Sequence, residues 1–363
     1  MVSSVSDELR VKNQELRIDV VTPELNIYGP LWKESVRRNY YNLGLRAQNI
    51  GADYVWTHDW GGIIALRALK KNRNTKVIWT VHSPIDTNYA YEYGYGYEDE
   101  EEKIDWGDAF FDFGALVREG VERADIVTTV SPTFAAKLNR MEMFAGKKVI
   151  GISNGTEGEE RIKNLELRIK NDSKRKLQEL FGLAIVDVPV FCFVSRMVSQ
   201  KGVALLLRVL PKILKEKEMQ MVWLGKGEKK LMEGVARLEA RFPGKVAAKL
   251  TADFDLPKQI YAGADFLVLP SVAEPFGIVV AEAKKYHCVP IVHLVDGLVD
   301  QVTDGENGLG FEKYSELALE KKIREAIEVW ENKNQHRLWS RSVRTWDQVA
   351  RDWMDCFVEY SSQ

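Results

Sequence analysis

Two acids, Glu274 and Glu282, bracket a tight Pro275-Phe276-Gly277 turn in the stretch Ser-Val-Ala-Glu-Pro-Phe-Gly-Ile-Val-Val-Ala-Glu that runs from Ser271 to Glu282. The apolar run 265–270 lies in front and ends at Pro270, so the order predicted is strand, tight loop, helix. A helix beginning near Gly277 aims free backbone N–H groups and the positive end of its dipole at whatever lies above the strand, which suits a phosphate. Glu282, nearly two turns in, is expected to project back toward that mouth. An acid beside an anion-binding helix start is unfavourable on charge grounds unless it binds the hydroxyls of a sugar joined to the phosphate. That chemistry points to a sugar nucleotide.

Other residues fall where an open α/β sheet binds ligands, at the carboxyl ends of strands. Ser195 and Arg196 end the run 188–194, and Lys201-Gly202 opens the next helix. Two cations at such a mouth neutralise a diphosphate, the guanidinium fixing orientation and the ammonium acting as a compact charge. Taken alone they also read as a solvated basic loop. Gly225-Lys226-Gly227 ends another strand; Gly-x-Gly turns are common, but glycines there let a nucleotide approach the backbone. Earlier in the chain His58-Asp59 and His82 end two neighbouring strands, and Asn154-Gly155 follows a third. A lone histidine is more often a packed or surface residue; two strands delivering polar groups to one edge favour a site. Asn154-Gly155 reads equally as a plain turn and as part of a binding edge.

The elements that must position these residues alternate. Short β-rich runs at 16–21, 53–58, 76–81, 125–130 and 148–152 are each followed by a turn or a helical pattern, as are 188–194, 220–224, 245–250, 265–270 and 289–293. A charged stretch, 156–180, separates the two series. The predicted fold is α/β, with two doubly wound Rossmann-like domains: 1–155, then 156–340, then a carboxy-terminal segment 341–363. In that last segment Trp346, Val349, Ala350, Trp353, Met354, Phe357 and Val358 make one apolar helical face. The tyrosine- and acid-rich segment 91–106 reads as a solvated loop or as a cover offering aromatic faces to sugar rings.

Composition narrows the class. A chain of 363 residues exceeds one ordinary core. A formal net charge of −2 argues against a dominant role on nucleic acid or anionic membranes. Cys192, Cys288 and Cys356 have no metal-ligand spacing and read as buried apolar residues in a reducing compartment, so no metal and a cytoplasmic location are expected. No apolar run approaches the roughly 20 residues of a membrane span, and the start of the chain lacks a secretory apolar core. The chain carries no Gly-x-Ser-x-Gly elbow, His-Glu-x-x-His, Cys-x-x-Cys or Walker loop.

Together these residues resemble the retaining glycosyltransferases of the GT-B fold, most closely the glycogen and starch synthases, over about residues 50–355. Their glutamate motif matches Glu274-Pro275-Phe276-Gly277 through Glu282, and their Ser-Arg-x-x-x-Gln-Lys-Gly loop matches Ser195 to Gly202. His58-Asp59-Trp60, Thr80-Val81-His82 and Ile152-Ser153-Asn154-Gly155 are similar to further family elements, as are Asp296 to Asp300, Asp304 to Phe311 and Thr345-Trp346. The family's amino-terminal Lys-x-Gly-Gly-Leu loop has no counterpart. His58 is reached with room for one or two strands before it, so the first domain is expected to be shortened, its exposed sheet edge covered by a partner or a second copy.

The resemblance implies two domains facing a cleft, with the last helix crossing back to the first. It implies that Arg196 and Lys201 stabilise the leaving diphosphate with help from the amides of Gly277 and Ile278, and that Glu274 holds sugar hydroxyls. Glu282 would hold the ribose or a nearby hydroxyl, His82 would stand beside the anomeric carbon, and Asp59 would position donor or acceptor. Gly225, Gly227 and Asn154 complete the expected donor site. No cofactor is expected; the substrate would be UDP-glucose or ADP-glucose and the acceptor an α-glucan. A small sugar, lipid or protein acceptor, or a non-catalytic subunit binding nucleotide sugar or glucan, are the other roles the fold serves.

Overall fold

Runs such as Val190–Val194 and Phe266–Leu269 are apolar at every position, the pattern of strands covered by helices on both faces. The structure, a computed structural model, describes residues 8–11, 14–17, 52–69, 75–83, 113–156, 167–334, 338 and 343–361. The tyrosine-rich segment 91–106 lies outside them. By their contacts the residues form two units. The first comprises Met1–Ser83, Ile104–Thr129 and Ala135–Gly151; the second comprises Pro84–Lys103, Val130–Phe134 and Ile152–Gln363.

In the first unit β1 (Glu8–Val11) and β2 (Gln14–Arg17) pair antiparallel, with Leu9 opposite Leu16. Of the expected strand 16–21, residues 16 and 17 fall in this antiparallel pair rather than in a parallel one, which would need a crossover connection; residues 18–21 lie outside the described residues. The main sheet is parallel, in the order β3 (Tyr54–His58), β4 (Lys76–Val81), β5 (Ile126–Thr129), β6 (Val149–Gly151). Helix α1 (Asp59–Ala68) starts directly at the end of β3 and α2 (Phe113–Arg123) follows, then α3 (Pro132–Leu138), whose residues from Ala135 on belong to this unit. Ile63 and Trp79 are buried against Gly120 of α2, where a Cβ would stand 2.8 Å from Ile63 Cδ1. Glycine is what allows α2 that close.

The second unit opens with α4 (Leu167–Phe181), so the charged stretch at 156–180 holds a helix, anchored by the buried Leu177, Lys174 and Gln178. Its sheet is parallel and six-stranded, in the order β12 (Leu309–Phe311), β11 (Val289–His293), β10 (Phe266–Leu269), β7 (Val190–Val194), β8 (Gln220–Leu224), β9 (Val246–Lys249). The strand β12 was not expected from sequence. The intervening helices are α5 (Val203–Glu216), α6 (Lys229–Arg241), α7 (Leu256–Gly263), α8 (Ile278–Lys285), α9 (Leu298–Gln301) and α10 (Glu316–Glu331). Lys174 forms a buried ion pair with Asp265 at 2.7 Å, and Asp265 also accepts from the Val190 amide at 2.8 Å, tying α4 to the start of the central strand.

The chain runs from β7 outward through β8 to β9, then returns past β7 to lay down β10 and continue the other way. The loops after β7 and β10 therefore leave the sheet in opposite directions, which opens a crevice at their carboxyl ends. The final helix, α11 (Trp346–Ser361), is half covered: Val349 and Cys356 are buried, Trp353 and Phe357 partly so, and Trp346 and Ala350 are exposed. The single apolar face expected over 341–360 is thus buried only along its centre.

Candidate functional site

The crevice between β7 and β10 is where the second unit collects its charged groups. After β7, Ser195 and the exposed Arg196 lead to a single tight turn, Ser199–Lys201, and Gly202 then starts α5 with φ 72°. A Cβ on Gly202 would stand 1.9 Å from the Pro270 carbonyl oxygen, so only glycine lets this turn press against the end of β10. Gln200 completes the junction, its amide donating to Ala273 O at 2.8 Å and its carbonyl accepting from the Val272 amide at 2.8 Å. Lys201 is thereby aimed at the next loop. Its Nζ lies 2.5 Å from Glu274 Oε2, and both side chains are buried.

Glu274 is itself held from several sides. Ser271 Oγ donates to Oε2 at 3.1 Å, the Glu274 amide donates to Asp296 Oδ2 at 3.0 Å, and the Gly297 amide donates to Glu274 O at 3.0 Å. Gly277 then turns the chain into α8 with φ 85°, and a Cβ there would meet Leu298 Cδ2 at 2.6 Å. Gln301 donates to the carbonyls of Phe276 and Gly277, fixing the loop that precedes the helix. The first N–H groups of α8, at Ile278 and Val279, have no partner within the helix, and Ile278 is exposed. A buried ammonium beside a helix start suits an anion, and the carboxylate, an acceptor only when ionised, suits hydroxyls.

The structure thus brings Lys201, Glu274, Gly277 and Ile278 together, with Arg196 at the end of β7. Glu282 lies on the same helix as Ile278, partly buried and within electrostatic reach of Tyr261 and Tyr286; burial raises both phenols above the ordinary tyrosine range, with Glu282 adding to it at Tyr286 and, after Cys192, at Tyr261. Gly225 is buried beside Ser195, whose carbonyl oxygen would stand 1.9 Å from a Cβ, and Gly227 pairs with Met197. Both glycines have this internal reason for being small. Asn154 is brought to none of these groups by a contact of its own; next to it Gly155 passes the backbone of Thr345, and the Thr156 amide donates to Arg344 O at 2.9 Å.

In the first unit, Asp59 and His82 do meet. Asp59 has φ 50°, a conformation acids tolerate better than most residues. Its Oδ1 accepts from the His82 and Ser83 amides at 2.7 and 3.0 Å, and Oδ2 accepts from Ser83 Oγ at 3.1 Å. His58 Nδ1 and His82 Nε2 are 2.8 Å apart. Desolvation among its neighbours lowers His58 to about 4, with His82 adding to the effect and Asp59 opposing it. Desolvation likewise lowers His82, against the pull of Asp59.

Glu228 was not singled out from the sequence, and Asp296 was singled out only within the stretch Asp296 to Asp300, without its task. Glu228 closes the turn before Lys201, accepting from Ser199 N at 2.9 Å and from Ser199 Oγ at 3.0 Å. Asp296 supports Glu274, and its left-handed backbone, φ 45°, is the local mark of a constrained acid that a sequence does not display. Among the described residues no group of three or more His, Cys, Asp or Glu is arranged to hold a metal. The three cysteines are buried and form no disulfide, with Cys192 Sγ and Cys288 Sγ 4.0 Å apart.

Residues 178–342 match the family described as Glycosyl transferases group 1, and residues 5–160 match Glycosyltransferase Family 4. The chain is 30% identical over 351 residues to a glycogen synthase of Kosmotoga olearia, covering 86% of this chain and 72% of that one. It is 28% identical over 380 residues to a glycogen synthase of Lactiplantibacillus plantarum, covering 93% and 77%. Among solved structures it is similar to the catalytic domain of starch synthase IV from Arabidopsis thaliana bound to ADP and acarbose, with a TM-score of 0.73, 21% identity, and coverage of 97% of this chain and 84% of that one.

Proposed function

Because this chain belongs to the glycogen synthase family of GT-B glycosyltransferases, we propose that it moves glucose from UDP-glucose or ADP-glucose to an α-glucan with retention of configuration. The observation that carries this reading is the buried Lys201–Glu274 pair, 2.5 Å apart at the mouth of α8. A diphosphate at that mouth draws the Lys201 ammonium and the free amides of Ile278 and Val279, while Arg196 adds a second cation. Glu274, released from Lys201, turns to the sugar hydroxyls. Apart from the parting of that pair, Lys201 and the amides at the start of α8 are held in place before substrate arrives, so they stabilise the negative charge that grows as the bond from sugar to diphosphate breaks.

Retention follows most simply from attack on the face the diphosphate leaves. The acceptor oxygen bonds to the anomeric carbon, the carbon–diphosphate bond breaks with its electron pair passing to the diphosphate, and the acceptor's proton moves to a departing phosphate oxygen. Among the chain's remaining site residues, Glu282 is assigned to the ribose or a nearby hydroxyl, with Gly225, Gly227 and Asn154 lining the donor. His82 is assigned to the sugar and Asp59 to holding His82 in place. No metal or organic cofactor takes part in this proposal, which places the reaction in the cytoplasm.

Nucleotide release measured with and without added glycogen tests the reading. Release from UDP-glucose or ADP-glucose should rise with polymer, and labelled glucose should appear in it. Release that polymer leaves unchanged but a small sugar accelerates would move the acceptor to small molecules. Donor binding without any transfer would make the chain a binding subunit.

A further inference from the structure

The histidine that ends β3 has no task in the account above. Its surroundings are built rather than incidental. Trp56, two residues earlier on the same face of β3, lies against the His58 ring with centroids 5.2 Å apart, and its Nε1 donates to Thr80 Oγ1 at 2.7 Å. Thr80 in turn meets Thr128 Oγ1 at 2.7 Å on the neighbouring strand. The His58 ring is thus steadied by three strands, and its Nδ1 stands 2.8 Å from His82 Nε2. Asp59 meanwhile holds the His82 amide at 2.7 Å. Consecutive residues divide the work, Asp59 fixing the His82 backbone and His58 its ring.

We propose that His58 is a positioning residue for His82: it occupies Nε2 of His82 in a hydrogen bond, so that Nδ1 is the ring nitrogen His82 offers to the bound sugar. This rests on the transferase reading. One hydrogen lies between the two nitrogens, which locks the tautomers of the rings together. If His58 carries it on Nδ1, neutral His82 offers an N–H donor at Nδ1; if His82 carries it on Nε2, its Nδ1 is an acceptor. Asp59 is the charged group acting on both rings, and it favours their protonated forms against desolvation. His82 Nδ1 makes no hydrogen bond among the described residues.

The test uses the full chain with ¹⁵N-labelled histidine, the His82 signals being assigned through His82→Asn. In His58→Ala the His82 ring should lose its fixed tautomer and titrate closer to the ordinary histidine value. Its kcat should fall on the order of 10-fold to 100-fold with donor KM little changed, as for a misplaced reacting group. His58→Asn, whose amide reaches the same place with either a donor or an acceptor, should restore most of the rate, and an unaltered unfolding midpoint would exclude general loss of structure. An unchanged His82 spectrum, or an unchanged kcat, in His58→Ala overturns the inference. The spectra read the pair whether or not glucose is transferred, so a coupled pair in a chain without turnover overturns the transferase reading instead.

Discussion

Lys201 and Glu274 lie 73 residues apart in sequence and 2.5 Å apart in space, and both are buried. Each is expected to be needed in full: Lys201→Ala and Glu274→Ala should each lower turnover on the order of 10²-fold or more, as loss of a preorganised charge does. Steady-state rates with glycogen check this, and wild-type-like rates in both variants would remove the site. Because the two residues touch, the double variant should lose much less than the product of the single losses. A second residue ties chemistry to stability. Lys284 of α8 is buried, donates to the Gln301 carbonyl, and is lowered by burial to about 8. The unfolded chain holds the proton up to about 10.4, so the stabilising difference is absent below about 8 and grows as pH rises from there. Relative to Lys284→Met, the wild-type unfolding free energy should therefore gain roughly 2 kcal/mol between pH 7 and pH 9.5, read from urea unfolding at the two pH values; parallel curves would count against it. Lys201 and Glu274, which the structure brings together, each sit in a short local pattern that a sequence displays, as does Arg196. Glu228 and the work of Asp296 were not legible, since their partners lie 29 and 22 residues away and nothing local marks the pairing.

Both helices flanking the site start at a glycine in the left-handed region, Gly202 before α5 and Gly277 before α8. Gly277→Ala would combine that backbone strain with a Cβ 2.6 Å from Leu298 Cδ2. It should cost more than about 1 kcal/mol of stability and disturb donor binding, measured by thermal unfolding and by titration with the nucleotide; an unaltered midpoint would show that the loop yields. At this scale the strands of both sheets were largely readable, because fully covered parallel strands leave continuous apolar runs. Leu309–Phe311 escaped because three residues set no period, and Leu167–Phe181 because its polar face dominates the sequence. The hairpin at Glu8–Arg17 escaped for a different reason: a run of β-rich residues does not say which strand it will pair with. Helices α5 and α10 are joined along their outer sides by Arg208–Glu316, Lys212–Glu320 and Arg324–Glu216, each pair 108 positions apart, so successive turns of the two helices stay in register. Exposed pairs of this kind contribute little individually.

For the molecule as a whole, alternation of strand and helix was enough to predict two parallel α/β units, and the strand order of the second explains why its charged residues converge where they do: β7 is laid down first and β10 returns past it. That order could not be read from the chain, since every arrangement of the same strands has the same local pattern. Lys201 is paired with Glu274, so on the proposed reading a donor diphosphate has to take the lysine from that carboxylate. If Glu274 holds the sugar hydroxyls as proposed, loss of the glucosyl group would leave the carboxylate to compete for Lys201 against the nucleoside diphosphate. On that reading the pair would favour product release as well as catalysis. Glu274→Gln, which removes the competitor's charge, should bind UDP or ADP more tightly than wild type while turning over more slowly, a combination that calorimetric titration and steady-state rates read together; weaker nucleotide binding in this variant would show that Glu274 holds the nucleotide instead of displacing it.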